Sequence, residues 1–356
     1  MEKQDILSMP YEVLKEQIQA LGEPEFRSKQ IFSWLHQKQV TKFAEMSSLS
    51  LQLRERLDKN FCINRLFIAR RLASALDHTV KYLYRLPDGN NIETVLMDYH
   101  HGKSLCISTQ VGCRMGCQFC ASTIAGFVRN LTPAEMLLQI YETQRDAGCR
   151  IDSVVLMGIG EPLDNFENVL TFLKLLSDPN GYGMSLRHVT LSTCGLVPRI
   201  LELADLCLGV TLSVSLHSPE NQRRSEIMPV NRRYPVEQLL KACRYYFKKT
   251  GRRVTIEYAV IDDINSTRSD AKRLAGLLSE MQCHVNLIPI NPIAERNFHA
   301  RHKTAEQFQK TLSAYGINAT IRRTLGSDIQ AACGQLRQNA DKAEINSGTL
   351  HGGGRN

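Results

Sequence analysis

The chain has 356 residues, 43% hydrophobic and 22% charged, with a formal net charge of +8. This is the make-up of a soluble globular protein with room for one large α/β domain and a smaller one. No apolar run approaches the roughly 20 residues of a membrane-spanning helix, and the opening Met-Glu-Lys-Gln-Asp lacks the apolar stretch of a signal peptide. A cytoplasmic protein without membrane association is expected, so the eleven cysteines are read as ligands or nucleophiles and not as a disulfide framework. The basic excess favours a polyanionic partner.

In chain order, residues 1 to about 60 read as helical. Over 25–39, Phe26, Ile31, Trp34 and Leu35 fall at helical spacing among Arg27, Lys29 and Lys38. That basic helix suits RNA phosphates and equally suits plain packing. From 66 to 97 the pattern changes to strands: 80–86 alternates, Pro87-Asp88-Gly89-Asn90 turns, and 92–97 returns. Residues 1–99 are therefore expected to form an α+β accessory domain that binds RNA.

Beyond residue 103, strand and helix alternate. Candidate strands cover 105–109, 153–157, 188–192, 211–216, 254–260, 285–290 and 319–322. Helices are expected from the capping-box start Thr132-Pro133-Ala134-Glu135 and over 168–176, 235–249 and 268–281. Alternation implies a parallel sheet. Six to seven units fall short of an eight-fold barrel, so the expected fold class is α/β, a partial (β/α)6 TIM-like barrel over 100–337. Residues 338–356 read as a flexible tail.

In barrel enzymes the chemistry gathers where strands end at their carboxyl side, and the unusual motifs fall there. After the first strand, Cys113, Cys117 and Cys120 lie within eight residues. Four cysteines close off most iron–sulfur carriers, whereas three leave one iron of a [4Fe-4S] cluster open to a substrate. Structural zinc prefers paired Cys-x2-Cys ligands, and no second pair lies nearby. The spacing Cys-x3-Cys-x2-Cys resembles the signature of radical S-adenosylmethionine (SAM) enzymes. The second strand runs into Gly158-Ile159-Gly160-Glu161, where glycines allow close backbone approach and the glutamate is an acceptor for an ammonium group. Later strand ends carry Ser192, Ser215-Leu216-His217 and Asn291. Each of these polar residues would also serve as a helix cap; their recurrence is the signal. Cys333 follows the last strand between Gly326 and Gly334, and Cys106 precedes the cluster motif. Both are candidate nucleophiles. The arginine doublets 232–233, 252–253 and 322–323 are candidate phosphate contacts.

Six motifs then occur in order: Cys-Ile-Ser-Thr-Gln-Val-Gly-Cys (106–113), Gly-Phe-Val-Arg-Asn-Leu (126–131), Met-Gly-Ile-Gly-Glu-Pro (157–162), Met-Pro-Val-Asn-Arg-Arg-Tyr-Pro (228–235), Val-Asn-Leu-Ile-Pro-Ile-Asn-Pro (285–292) and Ala-Ala-Cys-Gly-Gln-Leu (331–336). Together they resemble the RlmN family of radical-SAM RNA methyltransferases, with the Cfr resistance enzymes as near relatives, over residues 5 to 337. The resemblance implies methylation at C2 of an adenine in 23S rRNA, at the peptidyl-transferase centre, and in tRNAs. It implies a [4Fe-4S] cluster on Cys113, Cys117 and Cys120, and SAM held by Gly160, Glu161, Ser192, Ser215, Leu216, His217 and Asn291. Two SAM molecules are implied per turnover. One methylates Cys333; the other yields a 5′-deoxyadenosyl radical that takes hydrogen from that methyl group, whose carbon then adds to the adenine. Glu93 matches the proton-accepting base. Cys106 matches the thiol that resolves the adduct, through a transient disulfide bond to Cys333. A flavodoxin or ferredoxin as electron donor and a monomeric state are likewise expected. Ser327 and Gln330 stand where this family commonly has aspartates, which leaves Asp328 as the local acid. A Cfr-like enzyme acting at C8, and a non-enzymatic iron–sulfur RNA-binding regulator, are the alternative readings.

Overall fold

The computed structural model describes residues 3–293 and 295–337, so the tail expected over 338–356 lies outside the described residues. Its backbone is one ten-stranded sheet. We number the strands β1 (Phe67–Ala73), β2 (Val80–Arg85), β3 (Asn91–Tyr99), β4 (Gly102–Cys106), β5 (Ser153–Leu156), β6 (Val189–Thr193), β7 (Thr211–Ser215), β8 (Val254–Val260), β9 (Cys283–Pro289) and β10 (Ala319–Ile321). Neighbours in sequence are neighbours in the sheet from end to end. β1 to β4 pair antiparallel, and β4 to β10 pair parallel. Seven parallel strands with edges at β10 and β1 make the partial barrel that the alternation implies, open and not closed on itself.

Each crossover from β4 onward carries helix: α4 (Pro133–Ala147), α5 (Phe166–Ser177), α6 (Val197–Asp205), α7 (Asn221–Ile227) with α8 (Val236–Thr250), α9 (Arg268–Leu278) and α10 (His302–Ala314). Local chemistry sets their limits. The Thr132–Glu135 capping box opens α4, and Gly148, in the left-handed region at φ 61°, ends it. The parallel strands are apolar because both faces are covered: Val154, Leu156, Leu191, Leu212, Val214, Ile256 and Val285 are wholly or almost wholly buried in one continuous core.

The N-terminal helices α1 (Tyr11–Ala20), α2 (Glu25–His36) and α3 (Leu51–Asn60) share that core through Leu14, Ile18, Ile31, Phe32, Leu35, Leu53 and Leu57. On α2 the buried face is Ile31, Phe32 and Leu35, while Phe26 is 55% exposed. The first ladder pair after the accessory strands, Tyr99 with Gly102, spans position 99/100, so β1–β3 belong to the same sheet as the barrel strands. The helices dock on α4 through His36, whose Nδ1 lies 3.0 Å from the Tyr141 hydroxyl. His36 is 1% exposed, its Nε2 has no partner, and burial pulls its pKa down to about 3.

A base whose folded pKa is depressed favours folding above its unfolded pKa of about 6.5 and loses that advantage as the pH falls through it toward 3. At pH 5 the loss for His36 is on the order of 2 kcal/mol. Urea midpoints measured between pH 7 and pH 5 are expected to fall accordingly, and less steeply in His36→Phe. An equal slope in both proteins would rule out this origin.

Candidate active site

β4 runs on through Ile107, whose N–H donates to Val155 O (3.0 Å), before the chain turns away. A short antiparallel pair, Gln110–Gly112 with Phe127–Asn130, then closes the base of a loop that holds the three cysteines. Gly112, Gly116 and Gly126 take φ of 72°, 72° and 74° along it. Thr123 Oγ1 donates to Cys120 O (2.9 Å), Cys113 N to Gly126 O (3.1 Å) and Gln118 N to Ile227 O (2.9 Å). Arg114 pairs with Asp164 at 3.0 Å and lies over the Phe127 ring at 3.7 Å.

All three cysteines line one cavity at the carboxyl ends of the strands. Burial pushes Cys113 up to about 12 and Cys117 well above the ordinary thiol range, with their neighbours' sulfurs adding to the effect. Among the described residues no three His, Cys, Asp or Glu groups converge on one point as ligands of a single ion. Around tetrahedral zinc, with Zn–S near 2.3 Å, sulfurs approach to within about 4 Å of one another. Thiols set around a shared apolar void fit a polynuclear cluster, in which each thiolate takes a different iron.

The same cavity is lined by Gly160, Glu161, Ser192, Ser215, His217 and Asn291, together with Cys333. Leu216 is fully buried beneath it and contributes its carbonyl to the scaffold. The two glycines after β5 are there for contact. A Cβ on Gly158 would stand 2.6 Å from Ile107 O, and one on Gly160, at φ 107°, would stand 2.6 Å from Gln110 Cβ. Glu161 accepts from Cys194 N (2.8 Å) and Leu163 N (3.0 Å), tying the ends of β5 and β6. Burial raises its pKa, and these amides oppose the rise. A carboxylate has about four lone-pair sites, so acceptor capacity remains for an ammonium group. His217 sits at φ 55°, a strained conformation for a side chain of its kind. Its Nδ1 accepts from Ala259 N at 2.8 Å, which leaves the proton on Nε2. Burial and the Arg224 charge lower its pKa to about 3, so it is a neutral donor at physiological pH.

Cys333 reaches the cavity on a segment fixed from three sides. Asn291 Nδ2 donates to Cys333 O (3.1 Å), Ala121 N to Gly334 O (2.8 Å) and Ser122 Oγ to Leu336 O (2.9 Å). Asp328, the one acid left in this stretch, accepts from Ser74 Oγ (2.7 Å) and Ala75 N (2.9 Å). Glu93 is 1% exposed and is not among the cavity-lining residues. Its carboxylate meets Lys81 Nζ at 3.1 Å and accepts from Arg337 N at 2.7 Å, and burial raises its pKa against the pull of Lys81. Cys106 is buried close enough to feel the Cys333 sulfur, and its pKa is pushed up to about 12, chiefly by burial. The expected Cys106–Cys333 disulfide is not formed: every cysteine is a free thiol. Neither backbone is arranged to clamp the pair, since Cys106 lies inside β4 and Cys333 in a separately anchored loop.

Three site residues are not among those expected from the sequence, although Gln110 lies within the 106–113 motif. Arg224 of α7 is 0% exposed, and its guanidinium collects the strand-end carbonyls. Gln110 donates to Asn130 Oδ1 (2.9 Å) and Asp164 Oδ2 (2.8 Å), bracing the cluster loop. Glu257, in the middle of β8, lines the cavity. The only signal for Glu257 is a charge inside an otherwise apolar strand, and Arg224, in the polar run Asn-Gln-Arg-Arg-Ser-Glu-Ile, offers none. Of the arginine doublets, 252–253 precedes β8 at its amino end, away from the cavity, and Arg252 donates to Thr211 Oγ1 (2.7 Å).

Comparison with known proteins agrees with this geometry. Residues 4–63 match the ribosomal RNA large subunit methyltransferase N-terminal domain, and residues 107–275 the radical SAM superfamily. The chain is 49% identical to the probable dual-specificity RNA methyltransferase RlmN of Lachnoclostridium phytofermentans, over 97% of each protein. It is 50% identical to that of Alkaliphilus oremlandii, over 95% of this chain and 98% of the other. A crystal structure of a radical SAM methyltransferase from Sphaerobacter thermophilus superposes with a TM-score of 0.90 at 40% identity, covering 94% of this chain and 99% of that one. Radical SAM enzymes work with a [4Fe-4S] cluster and SAM, the two groups that the thiol triad and the polar side chains lining the cavity fit. The chain is a radical SAM RNA methyltransferase and belongs to the RlmN family.

Proposed function

We propose that this enzyme methylates C2 of one adenine in 23S rRNA and in tRNAs, passing the methyl group through Cys333. The observation that carries the reading is the shared cavity: Cys333, 213 residues beyond Cys120 in the chain, lines the same void as the three cluster thiols and the SAM motifs. An adenine C2–H is no nucleophile, so the carbon must be attacked by radical chemistry, which the cluster and SAM supply when bound.

The protein's own groups bind, orient and carry. Cys113, Cys117 and Cys120 hold the cluster; Gly160, Glu161, Ser192, Ser215, His217 and Asn291 position SAM, with Leu216 as the support beneath. Neutral His217 offers an Nε2–H donor without adding charge. Cys333 Sγ accepts a methyl group from one of the two SAM molecules used per turnover and presents it to the base. Asn291 fixes the backbone of that sulfur. Glu93 is assigned the acceptance of the C2 proton, its pKa raised by burial. Lys81 and Arg337 occupy its carboxylate, so the segment carrying Arg337 has to shift for it to act. Cys106, beside the Cys333 sulfur, is assigned a part in releasing the methylated base. The accessory helices and strands over 1–99 are assigned to RNA, the chain to the cytoplasm as a monomer, and a flavodoxin or ferredoxin to supply electrons.

The test is anaerobic turnover with SAM, a chemical reductant and a 23S rRNA fragment, with the modified nucleoside identified by mass spectrometry. Release of 5′-deoxyadenosine with 2-methyladenosine is the expected result. 8-Methyladenosine would transfer the protein to the Cfr-like class, and no RNA-dependent 5′-deoxyadenosine would reject the radical route.

A further inference from the structure

One polar atom in the cavity wall is unaccounted for. Glu257 is 3% exposed on strand β8, and its two carboxylate oxygens differ. Oε1 accepts from Ser213 Oγ (2.7 Å) and Asn286 Nδ2 (3.1 Å), from the strands on either side. Oε2 is buried with no hydrogen-bond partner. A buried acceptor left unpaired is costly, and here it borders the cavity.

Arg322 stands nearby in the same wall, just past β10. Its guanidinium crosses to β5, where Nη1 lies 3.6 Å from Met157 Sδ. No ion pair joins it to a carboxylate among the described residues, and its strongest electrostatic neighbours are Cys333 and then Glu257. Arg322 and Cys333 also line a second, smaller cavity. Arg322 thus has two neighbours in this wall, the Cys333 sulfur and a carboxylate with an unpaired oxygen.

Adenine presents a complementary set along its Watson–Crick edge: C2, then the acceptor N1, then the N6 amine donor. We infer that Glu257 and Arg322 read this edge, Glu257 Oε2 accepting from the N6 amine and Arg322 donating to N1, so that C2 is turned toward Cys333. A flipped base is commonly read in this way. The assignment rests on the C2 reading above and adds which residues select adenine. Hypoxanthine, which also has a C2–H, would set O6 against the carboxylate and N1–H against the guanidinium, so it is refused.

The test is a chemical double-mutant cycle. Single-turnover methylation is measured for wild type and Glu257→Gln on RNA hairpins carrying adenosine, purine ribonucleoside or inosine at the target position. In wild type, loss of the N6 amine should slow methylation by about 10- to 100-fold, the worth of a hydrogen bond to a charged group. In Glu257→Gln, the adenosine-to-purine ratio should fall to within about threefold of unity, and the adenosine-to-inosine ratio should fall at least tenfold, because the amide donates to O6. Ratios within one enzyme are insensitive to how much of the variant is folded. Unchanged ratios in the variant, or an equal slowing on all three RNAs as a cofactor contact would give, overturn the inference while leaving the C2 reading intact. Wild type that forms no 2-methyladenosine on the adenosine hairpin overturns both.

Discussion

Replacing Cys333 by alanine should abolish RNA methylation, by roughly four orders of magnitude or more, as loss of a nucleophile does elsewhere. The substitution removes little else. The segment is held by its backbone and by neighbouring side chains: Cys333 O to Asn291, Gly334 O to Ala121 N, Leu336 O to Ser122, and the Arg337 guanidinium to the Glu295 carboxylate. None of these bonds uses the thiol, so the variant should fold with an unchanged urea midpoint. Intact-protein mass after incubation with SAM and reductant should show a methyl group on wild type and none on Cys333→Ala. Cys106→Ala should behave differently, because Cys106 packs in a small apolar cluster with Val95, Met97, Ile159 and Leu336. It should retain the methyl group on Cys333 yet lose turnover. Full methylation of RNA by Cys333→Ala would end the two-step scheme at once.

The parts of this molecule that follow local rules were legible in the chain. The capping box at Thr132–Glu135, the Asp88–Gly89 turn and the apolar runs of β5 to β9 are short-range signals, and the elements lie where those signals put them. α6 and α10 were not legible. α6 starts at a Val-Pro step directly after a strand-end glycine, and α10 shows only Ala305, Phe308 and Leu312 as buried positions in a polar stretch. The thiols assigned to the cluster and the motifs assigned to SAM stand out because that chemistry demands rare residue types at fixed spacing. Glu257, Arg224 and Arg322 carry no such spacing. Their roles depend on which strand ends the barrel brings together, a long-range property that sequence periodicity does not encode. For the same reason Glu93 is recognisable only through its motif. Its pairing with Lys81 and Arg337 joins three segments far apart in the chain.

Arg224 gives the largest expected effect on stability. Its guanidinium is wholly buried under the site, and burial pulls its pKa down to about 10, still charged at neutral pH. No carboxylate compensates it among the described residues. Four acceptors do: Leu216 O at 2.9 Å, Asn231 Oδ1 at 2.9 Å, Cys194 O at 2.8 Å and Ser215 O at 3.0 Å. These belong to the ends of β6 and β7 and to the Met-Pro-Val-Asn-Arg-Arg motif, so one side chain holds Ser215, His217 and the Cys194 turn in register. Arg224→Leu keeps the bulk, removes the desolvated charge and takes this donor from Cys194 O, Ser215 O and Asn231 Oδ1, while Leu216 O keeps its bond from Ser218 N. At about 1–3 kcal/mol for each orphaned group, partly offset by the charge no longer buried, the net loss should be about 3–5 kcal/mol, a fall in melting temperature on the order of 10 °C. Arg224→Lys should recover only part of it, because an ammonium group has three donors and cannot span a planar array of four acceptors. The strand ends should loosen before the sheet does, so SAM affinity, measured by equilibrium dialysis on the reconstituted protein, should drop even at temperatures where the variant is fully folded. An unchanged urea midpoint together with unchanged SAM binding would mean that the carbonyls find other donors, and that this arginine is not what fixes the floor of the site.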